Sequence, residues 1–225
     1  MAAVSHSASQ RYVALPFNVF VRIRIIRLLS NYPENTMVRF IVILLSFLPI
    51  LGWAEPVKNF ELLDQYGQPH TLYEHSKKAA VVIMIQGNGC PIVRNAVTDY
   101  RSLRDQYRSR NVHFMMLNAN LQDQASTILE EAETYGIDWP ILHDKTQSVG
   151  KSLNLIRTAE VLVIDPTTWK IAYRGPINDR QVYERQKASA SNHFAAAAID
   201  SVLGGESVAV PHRDTLGCLI YFAKG

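Results

Sequence analysis

Two cysteines are the side chains of this sequence best suited to covalent chemistry. Cys90 follows a Gly87-Asn88-Gly89 turn and precedes Pro91, an order that predicts a cysteine at the start of a helix. A thiol in that position faces unpaired backbone N–H groups and the positive end of the helix dipole, and both favour the thiolate. Because the thiolate is the reactive form of cysteine, we predict that Cys90 is a redox nucleophile. The alternative is a buried, inert cysteine.

The second cysteine, Cys218, lies near the C-terminal end of the sequence. As a resolving thiol it would attack the oxidised Cys90 and form an intramolecular disulfide. A flexible tail permits this, because the entropic cost of closing a long loop grows only slowly with its length. A structural link and an unpaired thiol are the alternatives, since separation in sequence says nothing about the geometry of two sulfur atoms.

The segments around Cys90 predict alternating strands and helices. The apolar run 79–86 indicates a strand buried on both faces, and the spacing of apolar residues over 91–110 indicates an amphipathic helix. Two βα crossovers then require parallel central strands, and a later hairpin adds antiparallel ones. The other predicted elements are a hairpin (60–64 and 70–73), a strand (112–117), a helix (124–135), an extended piece (139–142), a helix begun by Asp144 and running to about 155, a hairpin (161–164 and 170–174) and a helix (191–203).

The first 54 residues differ from the rest. Arg39 precedes an apolar run from 40 to 51, and small residues precede the bond after Ala54, which predicts a secretory signal peptide that begins at Met37. The run is too short to span a bilayer comfortably. We interpret residues 1–36 as an upstream extension from a mis-assigned start, with a basic membrane-anchoring segment as the alternative.

The rest of the chain is then a folded domain at residues 55–204 and a tail at 205–225, in a periplasmic or secreted protein. An uncleaved N-terminus would make it membrane-anchored instead. Of 23 Lys and Arg and 20 Asp and Glu residues, five and one precede Glu55, so the exported part has a net charge of about −1. No basic field remains to attract nucleic acid. The histidines show no paired ligand spacing, so no metal site and no cofactor are predicted.

The order of elements, with a cysteine at the first helix start after the first central strand, resembles the thioredoxin fold and, within it, the peroxiredoxin-like (redoxin, AhpC/TSA) family. The resemblance covers residues 56–179 and is carried by Gly89-Cys90-Pro91 with Val93-Arg94 and by the segments 157–165 and 173–180. The segment 215–220 resembles a Gly-Cys-x-Ile tail of some exported members. The resemblance implies an α/β, thioredoxin-like three-layer fold, in which a central mixed sheet has an N-terminal β-hairpin and helices on both faces.

Three positions depart from the family pattern. Val93 stands where a CxxC motif would place its second cysteine, and Ala159 stands where a cis-proline is usual. These two departures argue against disulfide exchange by a vicinal pair. Gly87 stands where peroxiredoxins usually carry a Thr or Ser hydroxyl that orients peroxide, which weakens the expectation of peroxidase chemistry.

The resemblance also implies roles for residues around the sulfur. Arg157 and Thr158 fall in the loop that faces the cysteine in the family, so they are predicted to be catalytic. A guanidinium there lowers the thiol pKa and polarises a peroxide, and a hydroxyl binds the sulfur or a substrate. Asn88, Pro91 and Arg94 are predicted substrate contacts. The alternatives are solvated arginines, a Thr158 that only links two elements and an Asn88 that only serves the turn.

These observations predict an exported thiol oxidoreductase that reduces peroxides or protein disulfides through Cys90, with Cys218 as the resolving thiol. Its electron donor is an unidentified thiol, and neither nucleic acid nor stable membrane insertion after signal cleavage is expected. The alternative function is a non-catalytic binding or copper-delivery module of the same fold, for which Cys90 and His143 are the available ligands.

Overall fold

The computed structural model describes residues 55–182 and 185–223. The predicted signal peptide at 37–54 and the extension at 1–36 lie outside the described residues. Among the helices of the described part, none has the length and apolar character needed to cross a membrane.

The described residues form short strands and helices in the alternation that the sequence predicts. The strands are β1 (Glu61–Leu63), β2 (Pro69–Thr71), β3 (Ala80–Gln86), β4 (Val112–Asn118), β5 (Ile141–His143), β6 (Val161–Asp165), β7 (Lys170–Gly175), β8 (Gln181–Val182) and β9 (Arg185–Gln186). The helices are a 3₁₀ helix (Leu72–Lys77), α1 (Pro91–Gln106), α2 (Ala125–Thr134), α3 (Ser148–Ser152) and α4 (Phe194–Leu203).

The central sheet has the strand order β5-β4-β3-β6-β7. Strand β3 pairs parallel with β4, and β4 pairs parallel with β5, because helical crossovers connect them. Strand β3 pairs antiparallel with β6, and β6 pairs antiparallel with β7 across a tight turn. The result is the mixed sheet expected from the sequence, with the β1–β2 hairpin before it.

Strand β3 is buried along its whole length, and its side chains alternate between two apolar layers. Val82 and Met84 pack in the layer covered by α1, α2 and α4. Val81, Ile83 and Ile85 pack in the layer covered by the 3₁₀ helix, α3 and part of the C-terminal tail. Each such side chain contributes about 1.5 to 3 kcal/mol by leaving water, so the central strand is the best-anchored support for the turn that follows it.

Two predicted helices begin later than expected. The helix predicted from Asp144 begins at Ser148, and the Asp144 carboxylate accepts a hydrogen bond from the backbone N–H of Gly150 at 2.7 Å. The helix predicted from residue 191 begins at Phe194, because Asp179 accepts the backbone N–H groups of Ser191 and Asn192 and holds them outside the helix. Carboxylates outside each helix thus bind backbone N–H groups near both starts.

One further prediction was wrong in detail, and one element was missed. The helix predicted for residues 91–110 ends at Gln106. The hairpin formed by β8 and β9 was not predicted, because strands of two residues are too short to show a period-2 pattern.

The sequence suggested a flexible tail after α4, but in the structure this tail is hydrogen-bonded to the folded domain. Its first part lies along β7, where Arg174 N–H donates to the Pro211 carbonyl and Arg213 N–H donates to the Arg174 carbonyl, each at 2.9 Å. Further on, the Ile220 N–H donates to the Ile156 carbonyl at 2.9 Å. These bonds place residues 217–219 beside the loop that precedes β6.

The end of the described tail is bound by one buried side chain. Gln147 donates from Nε2 to the Tyr221 carbonyl at 2.9 Å and accepts the Ala223 N–H at Oε1 at 2.8 Å. Phe222 packs with the same apolar layer as α3. The tail is therefore bound on both sides of Cys218.

Candidate active site

Cys90 is the residue at which the turn after β3 becomes helix α1. Its backbone N–H donates to the Gly87 carbonyl at 3.2 Å, and its carbonyl accepts the first helical bond from Arg94 N–H at 3.1 Å. Pro91 occupies the first helical position, where the missing N–H leaves no bond unmade. The side chain of Cys90 is only 3% exposed and packs with Val93 and Ala159.

The sulfur atoms of the two cysteines lie together. Cys218 Sγ is 2.8 Å from Cys90 Sγ, and both residues are free thiols. Cys218 is exposed, whereas Cys90 is buried. A disulfide between them would therefore need only a small approach of the sulfur atoms and would present one sulfur to solvent.

Thr158 binds both cysteines from the loop before β6. Its Oγ1 lies 3.1 Å from Cys90 Sγ and accepts the backbone N–H of Cys218 at 3.0 Å. Its own backbone N–H donates to the Cys218 carbonyl at 2.9 Å. When Cys90 is a thiolate it can only accept, so the single proton of the Thr158 hydroxyl is then the one donated to the Cys90 sulfur.

Two glycines permit this close approach. A side chain at Gly217 would place its Cβ 1.9 Å from the Thr158 carbonyl oxygen, so only glycine lets the tail lie against the loop. A Cβ at Gly87 would lie 2.7 Å from the Thr158 methyl carbon. The resemblance predicts a Thr or Ser side chain at position 87. In this chain the Thr158 side chain, which comes from the facing loop, occupies part of the space that such a side chain would need.

These contacts shift the pKa values of the two thiols in opposite directions. Burial raises the pKa of the Cys90 thiol, but hydrogen bonds from the Cys218 thiol, the Thr158 hydroxyl and the Val93 backbone outweigh it, and the net pKa is lowered. Burial and the neighbouring Cys90 both raise the pKa of Cys218. Cys90 therefore loses its proton first, and Cys218 stays protonated as a donor to it.

The predicted arginines bind other groups than the sulfur. Arg94 donates from Nε and a terminal nitrogen to the two carboxylate oxygens of Glu131, at 2.9 Å each. That bond is the main cause of its raised pKa, to which Cys90 adds the least. Arg157 donates to the Gly217 carbonyl at 3.0 Å and so secures the tail beside Cys218. The groups that lower the pKa of Cys90 are the Cys218 thiol, the Thr158 hydroxyl and the Val93 backbone, and neither arginine is among them. The catalytic role of Arg157 and the substrate contact of Arg94 stay predictions.

The predicted substrate contacts also have other partners. The Asn88 side chain donates to Thr127 Oγ1 at 3.0 Å and accepts from Gln86 Nε2 at 2.8 Å, so both ends of its amide hold the turn. Pro91 is exposed and starts the helix. These positions favour a structural role for Asn88 in the turn, which was the alternative interpretation.

Sequence reasoning missed a set of buried polar residues beside the turn. They lie at the carboxyl ends of β3 and β4 and in the following loop, and they are Gln86, Asn118, Asn120 and Asp123. A signal was present, because polar residues just after buried parallel strands collect at the edge where ligands bind in α/β proteins. Among the described residues, no group of three or more His, Cys, Asp or Glu side chains is arranged to hold a metal ion.

Comparison with known proteins gives one family match. A family model described as the AhpC/TSA family matches residues 54–180. None of the curated proteins matches the chain.

Several solved structures share the fold. The chain is similar to an uncharacterized conserved protein of Geobacillus kaustophilus (26% identity, TM-score 0.68, 76% of this chain and 93% of that one). It is also similar to a hypothetical protein of Sinorhizobium meliloti 1021 (23% identity, TM-score 0.65, 76% and 95%). A thiol:disulfide interchange protein, thioredoxin family protein, of Chlorobium tepidum TLS aligns at 19% identity (TM-score 0.51, 67% and 97%). The thioredoxin-like α/β fold expected from the sequence is confirmed.

Proposed function

Because the chain belongs to the AhpC/TSA family of thioredoxin-fold thiol oxidoreductases, we propose that it works by cycling Cys90 and Cys218 between a dithiol and a disulfide. The observation that carries this proposal is the 2.8 Å separation of the two sulfur atoms, with Thr158 bonded to both residues. Such proximity replaces a collision between separate thiols by a step within one molecule.

The oxidant in this proposal is a peroxide. The Cys90 thiolate attacks one peroxide oxygen, so that the S–O bond forms as the O–O bond breaks, and the departing oxygen takes the proton of the Cys218 thiol. This leaves an alcohol or water and a sulfenic acid on Cys90. The Cys218 thiolate then attacks the Cys90 sulfur, the S–O bond breaks, and the departing hydroxide takes a proton from solvent as the disulfide forms.

The surroundings of Cys90 suit a small oxidant. The thiol is buried, and the tail that carries Cys218 covers it. A cleft of about 50 Å³ is lined in part by Ile92 and Ala159, two residues that pack with Cys90. That volume suits a peroxide better than a folded protein disulfide, which would first have to displace the tail.

Reduction in this proposal begins at the other sulfur. In the disulfide, Cys218 is the exposed sulfur, and Cys90 is the better leaving group because its thiol has the lower pKa. A thiolate of the donor attacks Cys218 and releases Cys90, and a second donor thiol then displaces Cys218. The net reaction is one peroxide and two donor thiols to one alcohol, one water and one donor disulfide.

A protein disulfide remains the other candidate oxidant, since its attack by Cys90 and resolution by Cys218 would end in the same internal disulfide. For the copper-delivery alternative, residues 55–182 and 185–223 contain no group of three or more His, Cys, Asp or Glu side chains arranged to hold a metal ion. Export is part of the proposal as well, and N-terminal sequencing of the mature protein tests it, with Glu55 as the expected first residue.

The central experiment adds one equivalent of hydrogen peroxide to the reduced full chain. We expect a peptide pair joined through Cys90 and Cys218 in non-reducing mass spectrometry, a sulfenic acid trapped on Cys90 in Cys218→Ser, and neither product in Cys90→Ser. Sulfenic-acid labelling that persists in Cys90→Ser would overturn the proposal. If the wild-type protein does not react with peroxide but is oxidised by a protein disulfide, the oxidant in the proposal is wrong and the role of the cysteine pair stands.

A further inference from the structure

The buried polar residues beside the turn have no part in the proposed reaction. Gln86 ends β3, Asn118 ends β4, and Asn120 and Asp123 lie in the loop after β4, each at most 7% exposed. Asn118 joins the two strand ends, because its Nδ2 donates both to Gln86 Oε1 at 2.5 Å and to Asp123 Oδ2 at 2.8 Å.

Asp123 is the residue on which this network converges. Its Oδ2 accepts hydrogen bonds from the Asn118 side chain at 2.8 Å, from the Asn120 side chain at 3.1 Å and from the backbone N–H of Asn88 at 3.0 Å. A buried carboxylate requires such donors, and the donors in turn depend on it. The third donor belongs to the turn that precedes Cys90.

The backbone N–H groups of Asn88, Gly89 and Cys90 are all bound. Asn88 donates to Asp123, Gly89 donates to Glu131 Oε1 at 3.3 Å, and Cys90 donates to the Gly87 carbonyl at 3.2 Å. The Val93 backbone, which lies further along the helix, acts on the Cys90 sulfur. Because Cys90 follows this turn directly, the orientation of the turn affects where the Cys90 sulfur lies relative to the Val93 backbone.

The same network also packs against Gly87. A Cβ at Gly87 would lie 2.4 Å from Asn120 Nδ2 on one side and 2.7 Å from the Thr158 methyl on the other. The Asn120 amide is held in place by Asp123. The turn is thus fixed between the network and the loop that carries Thr158.

We propose that Asp123 is a positioning residue, whose carboxylate holds the Gly87–Gly89 turn so that the Cys90 sulfur meets Thr158 and Cys218. The proposal rests on the proposed function in one respect, because it takes Cys90 as the nucleophile. Asp123 itself touches neither sulfur nor substrate in this scheme.

The test is the pH dependence of Cys90 alkylation in the full chain, measured with iodoacetamide and resolved by peptide mass spectrometry. In Asp123→Asn the uncharged amide oxygen binds the Asn88 N–H more weakly than the carboxylate does. The alkylation midpoint of Cys90 should therefore rise by about one pH unit, and the rate at pH 7 should fall about tenfold. A purely electrostatic role predicts the opposite sign, because removing a nearby negative charge favours the thiolate.

Asp64→Asn is the matched control. Asp64 is also a buried turn carboxylate, accepting the Tyr66 and Gln68 N–H groups at 2.8 and 2.9 Å, but it lies in the β1–β2 hairpin. We expect it to lower the melting temperature and to leave the Cys90 midpoint unchanged. Asn120→Ala keeps the carboxylate and removes one of its donors, so it should shift the midpoint upward by less than Asp123→Asn.

An unchanged or lowered Cys90 midpoint in Asp123→Asn overturns the proposal. If Asp123→Asn does not fold, an unchanged midpoint in Asn120→Ala overturns it instead. A wild-type Cys90 that titrates like a free thiol, near pH 8.5, would overturn the proposed function too. If wild-type Cys90 is reactive and its alkylation midpoint is unchanged in Asp123→Asn, only the proposed role of Asp123 is overturned.

Discussion

Cys90 and Cys218 meet past the carboxyl end of β3, whereas His75 and His113 stack near the amino end of β4, with ring centroids 3.7 Å apart. Both pairs contain a buried titratable group next to a second one. At the cysteines, hydrogen-bond donors outweigh burial and lower the pKa of Cys90, which favours its charged form. At the histidines, Nε2 of each ring is buried without a hydrogen-bond partner, and burial lowers the pKa of both, which favours their neutral forms.

The difference shows that burial alone does not decide the charge of a group. Thr158 and Cys218 offer protons to a sulfur that can become negative. The charged neighbours of the histidines do not compensate in the same way, because Lys78 disfavours protonation and Glu74, 3.4 Å from His75 Nε2, only partly opposes it. A buried charge is tolerated only where matched hydrogen bonds replace water.

The largest expected effect is acid destabilisation through His113, whose pKa is lowered to about 3. The unfolded chain binds a proton at this residue below about pH 6.5 while the folded chain does not, so the free energy of unfolding falls as the pH decreases from 6.5 toward 3. Between pH 7 and pH 4 the loss should be about 3 kcal/mol. Urea unfolding across this range measures it, and His113→Phe should flatten the dependence.

Thr158→Val is the cross-control for that experiment, because it alters the cysteine pair and leaves the histidines intact. In Thr158→Val the free energy of unfolding should fall with decreasing pH as steeply as it does in the wild type. If the free energy of unfolding depends on pH equally in His113→Phe and in the wild type, the acid destabilisation does not come from His113.

A second prediction concerns the tail that delivers Cys218. Gly217→Ala places a methyl carbon 1.9 Å from the Thr158 carbonyl oxygen, so the tail must move away. We expect a loss of about 2 kcal/mol in the free energy of unfolding and internal disulfide formation at least about tenfold slower after peroxide, in line with lost orientation.

Gly204→Ala is the matched control for the tail, since its nearest contact would be an ordinary 3.4 Å to the Asp200 carbonyl. It should form the disulfide at the wild-type rate. A wild-type rate in Gly217→Ala as well would show that the tail contact is not needed.

The smallest expected effect is the loss of one hydroxyl. Thr158→Val keeps the shape of the side chain but removes its hydrogen bond to the Cys90 sulfur and its acceptance of the Cys218 N–H. The pKa of Cys90 should rise, and the alkylation rate at pH 7 should fall about tenfold. Thr158→Ser retains the hydroxyl and should restore the wild-type rate. Equal rates in Val, Ser and wild-type proteins would assign the stabilisation to Cys218 and the helix start alone.

Much of the fold could be predicted because its signals are local. The apolar run at 79–86, the glycines after it and Pro91 are adjacent in sequence, and they placed a buried strand, a turn and a helix start where the structure has them. Helix bounds were predicted less well. The starts of α3 and α4 depend on Asp144 and Asp179, whose carboxylates bind backbone groups several residues away.

The amino-acid sequence by itself determined that a thiol stands at the start of a helix behind a buried strand, because turn and helix propensities act over a few neighbouring residues. Only the tertiary structure decided that Thr158 and Cys218 meet that thiol, that Arg94 turns to Glu131 and that Asp123 binds the turn. These contacts join residues far apart in sequence, and they exist because the packed sheet brings the ends of β3, β4 and β6 to one place. Which donors surround the sulfur, and hence its charge, is a property of that packing.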